Sequence, residues 1–411
     1  MSAASLAGGD LLDDRYKVVG EAGAGGFARA FEATEITSGE TVALKVPNYD
    51  GSSNDPAVIE EYFLKEAETL ETIEAVGGHP NVMSLLDRFE VDGTPVLVVE
   101  YVDGFELDEA IDRTGPLEDA EEVREVGIAL ADAMSFLHEN EIVYRDLKPD
   151  NVMLTRRDGV VTPVLIDFNT ATGFDESGSA ADSGTTILGP YKPREVADAG
   201  RSDVRQGPWS DVYSVGKILL FLLRGTVPKK DGVDPRDFGV ECPDYLAEIV
   251  AKATQTDFED RYPNATAMKH VLVERDASPP PQARLADVHS ERRYTIHPGD
   301  TLGRRDAVGP SPSVAIEDEQ EYISTVQVQF ETDDLGNWLL RDRSLNGTYV
   351  QSGEGWQRVL GTAGRERLRE QGEDPTDRAG NVPPTTYQLS DGDLVALVHP
   401  SYGVAFEFEV Q

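Results

Sequence analysis

The residues best suited to chemistry lie in four short groups in the first half of the chain. Gly23-Ala24-Gly25-Gly26-Phe27-Ala28 is a glycine-rich turn, and backbone without side chains can bring its amides close to phosphate. Alone it also fits a dinucleotide fingerprint, whose third glycine is sometimes alanine. A dinucleotide turn opens a helix, however, and the residues that follow here, FARAFEATE, read as a strand. Nor does the turn end in Gly-Lys-Ser/Thr as a P-loop does. A glycine turn between two strands can instead lie over a triphosphate. Val42-Ala43-Leu44-Lys45 then ends a strand on one lysine, at the spacing a phosphate-contacting cation needs after such a loop. Farther on come Tyr144-Arg145-Asp146-Leu147-Lys148-Pro149-Asp150-Asn151 and Ile166-Asp167-Phe168-Asn169.

These groups need elements to hold them. Residues 16–46 read as strand, glycine turn, strand, and Pro56–Ala75 reads as a helix with Ile59, Phe63, Leu70 and Ile73 on one side. Residues 95–101, PVLVVEY, are a buried-strand run. Residues 117–140 space Val123, Val126, Leu130, Ala133 and Leu137 at steps of three and four, which predicts a long core helix. Strands first and helices after predict a small sheet-rich lobe followed by a helical lobe. Near Arg275 the texture changes: ASPPPQARLADVHSERR holds three consecutive prolines and few large apolar groups, and reads as a semi-rigid linker. Beyond it TVQVQF, NWLLRD, TYV, YQL, DLVALV and VAFEFEV, punctuated by NG and DG, predict an all-β sandwich.

Composition bounds the answer. A length of 411 residues favours two domains, and 39% apolar content is ample for packed cores. The single cysteine, Cys242, excludes an intramolecular disulfide framework and a multi-cysteine metal site, and reads as a small packed apolar residue. The start, MSAASLAGGDLLDD, has neither the basic nor the apolar region of a signal peptide, and the densest apolar stretch, 218–223, is far short of the ~20 residues a bilayer needs. A soluble, cytoplasmic protein without a membrane partner is expected. The 76 acidic and 37 basic residues give a formal charge of −39, which repels nucleic acid. Acids spread along the whole chain, with ten Lys against 27 Arg, predict a solvated surface suited to high salt.

Five motifs in order, from the glycine turn to Asp167-Phe168, resemble the protein kinases, specifically the eukaryotic-like (Hanks-type) Ser/Thr kinases of prokaryotes. The resemblance implies ATP and Mg2+ as cofactors and covers about 13–275, with a small lobe at 13–101 and a large lobe at 102–275. By that resemblance Asp146 is the catalytic aspartate, which accepts or orients the substrate hydroxyl proton, and Lys148 stabilises the transferring phosphoryl group. Asn151 and Asp167 hold magnesium. Gly23, Gly25, Gly26 and Ala43 border the nucleotide. Lys45 contacts its phosphates, held by Glu66 in preference to Glu68. Glu100 and Val102, in Val99-Glu100-Tyr101-Val102, match the segment whose backbone pairs with adenine. Asp211 resembles the buried aspartate bracing the catalytic loop, and Glu195 with Arg261 the pair that anchors the activation segment.

The chain departs from the family at four places. Tyr144 replaces a histidine at a packing position, and Ala28 the loop's third glycine. Asn169 replaces the glycine after Asp167-Phe168, a site where left-handed geometry favours glycine or asparagine. Leu188 stands where a threonine is expected, with Thr185 and Thr186 just upstream, so substrate sequence preference does not carry over.

The last part resembles a forkhead-associated (FHA) domain over about 293–411, after a linker at 276–292, through Leu302-Gly303-Arg304, Ile323-Ser324, 338–348 and Leu389-Ser390-Asp391-Gly392-Asp393. The resemblance implies that Arg304, Ser324 and Asn346 bind phosphothreonine: guanidinium on phosphate, hydroxyl donating, carboxamide on the peptide backbone. Gln327 stands where that family has histidine, and 351–385 read as an insertion. The predicted architecture is therefore an α+β bilobal protein-kinase fold followed by an all-β sandwich of forkhead-associated type. The expected partners are protein substrates with Ser or Thr, and phosphothreonine proteins or the chain's own activation segment. Two other readings stand beside an active kinase: a pseudokinase scaffold that only binds nucleotide, and a kinase of small molecules, which Lys148 and the peptide reader disfavour.

Overall fold

The computed structural model describes residues 6–49, 51–52, 54–140, 142–157, 159–173, 189–197, 206–290, 292–305, 312–318, 320–333, 335–353, 355–376 and 380–410. The chain divides into two compact units, Met1–Ser278 and Pro279–Gln411.

In the first unit, alternating apolar residues build β1 (Leu11–Leu12), β2 (Tyr16–Ala24), β3 (Ala28–Glu35) and β4 (Thr41–Pro47). With β5 (Leu85–Val91) and β6 (Thr94–Glu100) they form one antiparallel sheet in the order β1-β2-β3-β4-β6-β5. Its own core contains Tyr16, Val18, Phe31, Leu44 and Val98. Helix α1 (Pro56–Ala75) lies between β4 and β5 in sequence. Asp55 caps it by accepting from Ala57 N, and Pro56 occupies the first turn, where a missing N–H costs nothing.

The helical lobe comprises β7 (Gly104–Glu106), α2 (Leu107–Thr114), α3 (Ala120–Glu139), β8 (Ile142–Val143), β9 (Val152–Arg157), β10 (Val160–Leu165), β11 (Thr172–Gly173), α4 (Arg194–Ala197), α5 (Pro208–Arg224), α6 (Asp244–Ala253) and α7 (Ala265–Glu274). Helix α5 is buried from Ser210 to Leu223, a largely apolar element that also carries Asp211 and Lys217 inward. It is the central post on which the segment between β8 and β9 rests. No helix among the described residues is long and apolar enough to cross a membrane.

The second unit is two antiparallel-dominated sheets around Leu285, Leu302, Phe330, Leu340, Phe406 and Phe408. One sheet runs β13-β12-β22-β21-β18-β19: Arg293–Ile296, Ala283–Asp287, Ala405–Val410, Leu394–Leu397, Thr348–Ser352 and Gly355–Val359. The other runs β15-β14-β16-β17-β20: Val314–Ile316, Thr301–Arg304, Val328–Thr332, Trp338–Asp342 and Thr386–Gln388. The linker expected at 276–292 needs correction. Strand β12 lies within it, pairs with both β13 and β22, and buries Ala283 and Leu285. Two apolar residues at period two suffice beside a waiting strand pair, a signal the three prolines obscure. The region expected as an insertion starts as strand, since β18 and β19 form a hairpin, and then adds helix α8 (Thr362–Glu370).

Candidate functional site

Strand β4 pairs with β3 and β6, which fixes Lys45 opposite Ala30 and Leu97. On the buried stripe of α1, Glu66 sits beside Phe63, Ala67 and Leu70, whereas Glu68 is exposed. Lys45 Nζ and Glu66 Oε1 form a hydrogen-bonded ion pair. The same Glu66 oxygen accepts from Phe168 N at 3.4 Å, so one carboxylate ties the small lobe to the Asp167 segment. Burial opposes the charge on Lys45, but Glu66 and Asp167 outweigh it and hold its pKa above the ordinary value. Burial raises Glu66 in turn, with Lys45 opposing. Two carboxylates around one ammonium leave this corner with an excess of negative charge.

The Tyr144–Asn151 segment hangs from Asp211 of α5. This carboxylate, fully buried, accepts from Tyr144 N at 2.9 Å and Arg145 N at 2.8 Å, and lies 2.9 Å from His138 Nε2. It thereby holds Arg145 at φ 67°, a left-handed conformation that costs a non-glycine residue about 1–3 kcal/mol. Tyr144 is buried and meets the Phe168 ring edge-on at 5.1 Å, so the larger ring is accommodated at its packing position. Asp146 is buried next to Asn151, whose Nδ2 donates to Asp146 O at 2.8 Å and Oδ2 at 3.0 Å. Lys148 Nζ lies 3.9 Å from Asp146 Oδ2. Ile166 N donates to Asn151 O at 3.2 Å, which joins the Asp146 and Asp167 segments.

One residue at this centre escaped the sequence reading. Lys192, nine-tenths buried, places Nζ 2.5 Å from Asp146 Oδ1. No periodicity or motif points to it; only its position between Tyr191 and Glu195 offers a signal. Glu195 itself is buried against Arg261 at 2.5 and 3.2 Å, and Ser210 Oγ donates to it at 3.1 Å.

The glycine turn joins β2 to β3. Asn48 Nδ2 donates to Gly25 O at 2.7 Å, Asn54 Nδ2 to Gly26 O at 3.2 Å, and Phe27 stacks on Tyr62 of α1 with ring centres 4.6 Å apart. These tethers too went unforeseen. Gly23 pairs with Ala30, and Ala43 is half-buried between Glu32 and Val99. Glu100 N donates to Ser84 O at 2.9 Å, and its side chain pairs with Arg157. That leaves Val102, partly buried on the large-lobe core, as the neighbouring backbone not spent on the sheet. Neither Ala28 nor Asn169 has a positive φ, so neither replacement of glycine is strained. Thr185, Thr186 and Leu188 lie outside the described residues.

In the sandwich, Arg304 ends β14 and Ser324 lies on the loop before β16. A Cβ at Gly303 would fall 2.0 Å from Thr325 O, so only glycine lets the Arg304 strand approach this loop. Arg304 Nε donates to Ile323 O at 3.3 Å, and its Nη1 lies 3.6 Å from the exposed Glu321. Ser324 Oγ accepts from Leu345 N at 3.2 Å, and Asn346 Nδ2 donates to Tyr322 O at 2.6 Å. The three expected residues thus share one loop cluster. Gln327 explains its departure: fully buried, it accepts from Ser324 N at 3.0 Å and donates to Gly347 O at 2.9 Å, bridging two site loops. Asp342 accepts from Ser344, Thr348 and Gly361 at 2.7–2.8 Å and so fixes the Asn346 turn.

No cluster of three or more metal-binding His, Cys, Asp or Glu side chains occurs among the described residues. Asn151 and Asp167 offer one carboxamide and one carboxylate, too few for an all-protein cage. Such a pair fits a magnesium ion that takes its other ligands from phosphate and water.

A family model described as the protein kinase domain matches residues 16–285, and one described as the FHA domain matches 301–371. The chain is 28% identical over 310 residues to the serine/threonine-protein kinase PrkC of Bacillus subtilis, covering 72% of this chain and 44% of that protein. To the serine/threonine-protein kinase PknA of Nostoc it is 29% identical over 286 residues, 66% of this chain and 49% of the other. To PknB of Mycobacterium tuberculosis it is 28% identical over 339 residues, 77% and 52%. The chain spans about half the length of these curated relatives. With the Lys45–Glu66 pair and the Asp211-braced Asp146 loop in place, the match over 16–285 assigns this chain to the protein kinase family, with an FHA domain following the kinase domain.

Proposed function

We propose that the chain is a cytoplasmic protein kinase that transfers the γ-phosphoryl group of ATP to Ser or Thr hydroxyls of proteins, and that its FHA domain docks phosphothreonine peptides. The observation that carries this reading is the joined Lys45–Glu66–Phe168 contact together with Asp146 beside Asn151. The backbone of Gly23, Gly25 and Gly26 borders the phosphates, and Lys45, oriented by Glu66, neutralises them. Ala43, Glu100 and Val102 border the adenine. Asn151 and Asp167 would hold magnesium, which supplies charge neutralisation on the phosphates. Asp146 orients the substrate hydroxyl and takes its proton, and Lys148 offsets charge developing on the transferred group. The hydroxyl must share the Asp146 carboxylate with the Lys192 ammonium. A pseudokinase scaffold would need neither Asp146 nor Lys148. Arg304, Ser324 and Asn346 form the phosphothreonine pocket, whose ligands include other phosphoproteins and the chain's own Thr185 or Thr186.

The test is phosphoryl transfer from labelled ATP. Asp146→Asn is expected to keep nucleotide binding and lose ~10²–10⁴ in rate, the worth of a positioned base. Asp167→Asn is expected to weaken magnesium-dependent binding as well. Wild-type rates in both variants would refute the reading. The −39 charge is read as an adaptation to salt. At ~1 M salt screening acts over roughly 3 Å, so the thermal midpoint should climb between 0.1 M-range and molar KCl. A flat midpoint would make the acidity incidental.

A further inference from the structure

Acidic residues outnumber basic ones by 76 to 37, so a cluster of arginines with no carboxylate beside it stands out in this chain. Many guanidinium groups are matched, as are Arg15 with Asp87, Arg88 with Glu71, Arg236 with Asp234, Arg261 with Glu195 and Arg341 with Glu331, whereas Arg224 and Arg343 bond single neutral oxygens. Around Asn346 a cluster of them is unmatched. Arg358 of β19 donates through Nη2 to Asn346 O at 2.8 Å, while its Nε is buried with no acceptor. Arg367 of α8 donates through Nη1 to Asn346 Oδ1, and lies 3.4 Å from Leu345 O. Arg365 donates to Leu360 O at 2.9 Å and to Pro383 O. Every acceptor is a neutral carbonyl oxygen. A guanidinium stays protonated at all working pH values, so these cations retain charge that no carboxylate among the described residues pairs with.

Their position gives that charge a use. Arg304, Ser324 and Asn346 form one line of contacts, through Ile323, Tyr322 and Leu345, and Arg367 with Arg358 continues it beyond Asn346. We propose that Arg367, with Arg358, forms a second anion-binding subsite, so that the domain prefers phosphothreonine peptides carrying another anionic side chain near the phosphothreonine. This rests on the phosphothreonine reading of the domain. The anion is a carboxylate or a second phosphate, both of which accept charge-assisted bonds from a guanidinium. Helix α8 supplies Arg367 from the region that read as an insertion, so the added segment becomes part of the ligand site.

The full chain is presented with a degenerate peptide library fixed only at a central phosphothreonine, with Asp, Glu and phosphoserine among the flanking residues. Retained peptides are expected to be enriched roughly tenfold or more in an anionic residue at one or more flanking positions, the worth of one charge-assisted hydrogen bond. Asp and Glu against phosphoserine separates carboxylate from phosphate. Arg367→Gln, which keeps a donor for Asn346 but no charge, is expected to retain phosphothreonine peptides and lose the enrichment. Absence of enrichment in the wild type, or its survival in Arg367→Gln, overturns the subsite and leaves the pocket standing. A library that is not retained, or retention untouched by Arg304→Ala, sinks the phosphothreonine reading and the subsite with it.

Discussion

Glu195 and Arg261 in the kinase unit and the Arg358 Nε in the sandwich are all sheltered from water, yet what faces them differs. The kinase unit closes three buried cations on carboxylates: Arg261 on Glu195, Lys45 on Glu66, Lys192 on Asp146. Asp211 is closed on backbone amides. In the sandwich, among the described residues, Arg358 and Arg367 meet carbonyl oxygens and the face of the Tyr349 ring but no carboxylate. A catalytic centre must present fixed groups in one geometry before the substrate arrives, and internal pairing supplies that preorganisation. A recognition site gains when its cations wait for a ligand's charge, since a cation already paired would have to be stripped first. The difference is therefore between charge spent on rigidity and charge kept for binding.

The comparison breaks first at its strongest pair. Glu195 and Arg261 are both buried, and Arg261 also donates to Gln255 O at 2.8 Å and Thr256 O at 3.1 Å. Arg261→Ala leaves the Glu195 charge buried without its partner and is expected to cost about 3–5 kcal/mol. Urea unfolding of the kinase unit, followed with wild type alongside, measures it. A loss under about 1 kcal/mol would mean that the pair is no more than a surface contact.

Much of this was legible in the sequence, for reasons that also mark where legibility stops. The helix at Pro56–Ala75 and Glu66 on its buried face follow from period and motif register, because a helix repeats its contacts at fixed spacing. Asp146, Asn151 and Asp167 sit in contiguous motifs, so local order carried the information. Lys192 and Arg367 reach their partners across 46 and 21 residues, with nothing periodic in between. Asn48 and Asn54 hold the glycine turn by side-chain bonds to carbonyls, which leave no hydrophobic pattern. Strand β12 was hidden because its ladders to β13 and β22 are backbone bonds, and only Ala283 and Leu285 mark it in the apolar pattern.

A gentler test uses a buried cation whose partners are dipoles inside the kinase unit. Lys217 of α5 is fully buried, with Nζ on Lys230 O, 3.5 Å from Pro228 O and 5.1 Å from the centre of the Tyr213 ring. Burial pushes its pKa down to about 8, with Asp231 opposing. An unfolded lysine titrates at about 10.4, so between these values the unfolded chain binds the extra proton and stability rises with pH. The slope is at most ~1.4 kcal/mol per pH unit and vanishes below the folded pKa. Urea midpoints from pH 7.5-range to 9-range buffers should climb in the wild type and flatten in Lys217→Met. Equal slopes in the two proteins would show that Lys217 keeps its proton throughout.

The smallest expected effect sharpens the comparison most. If Arg367 is held for a ligand, the free protein gains little from it, because its bonds go to Asn346 Oδ1 and Leu345 O on a partly exposed surface. Arg367→Gln should then shift unfolding free energy by no more than about 0.5 kcal/mol, the range of surface substitutions without a buried partner. Removing one positive charge from a chain at −39 adds slightly to self-repulsion, which acts in the destabilising direction and fades with salt. The measurement is the thermal midpoint of both proteins at low and molar KCl. A loss of several kcal/mol that persists in molar salt would place Arg367 with Arg261, as a cation the fold itself depends on. A small loss that salt removes leaves its charge uncommitted in the free protein, and that is the condition for a ligand to use it.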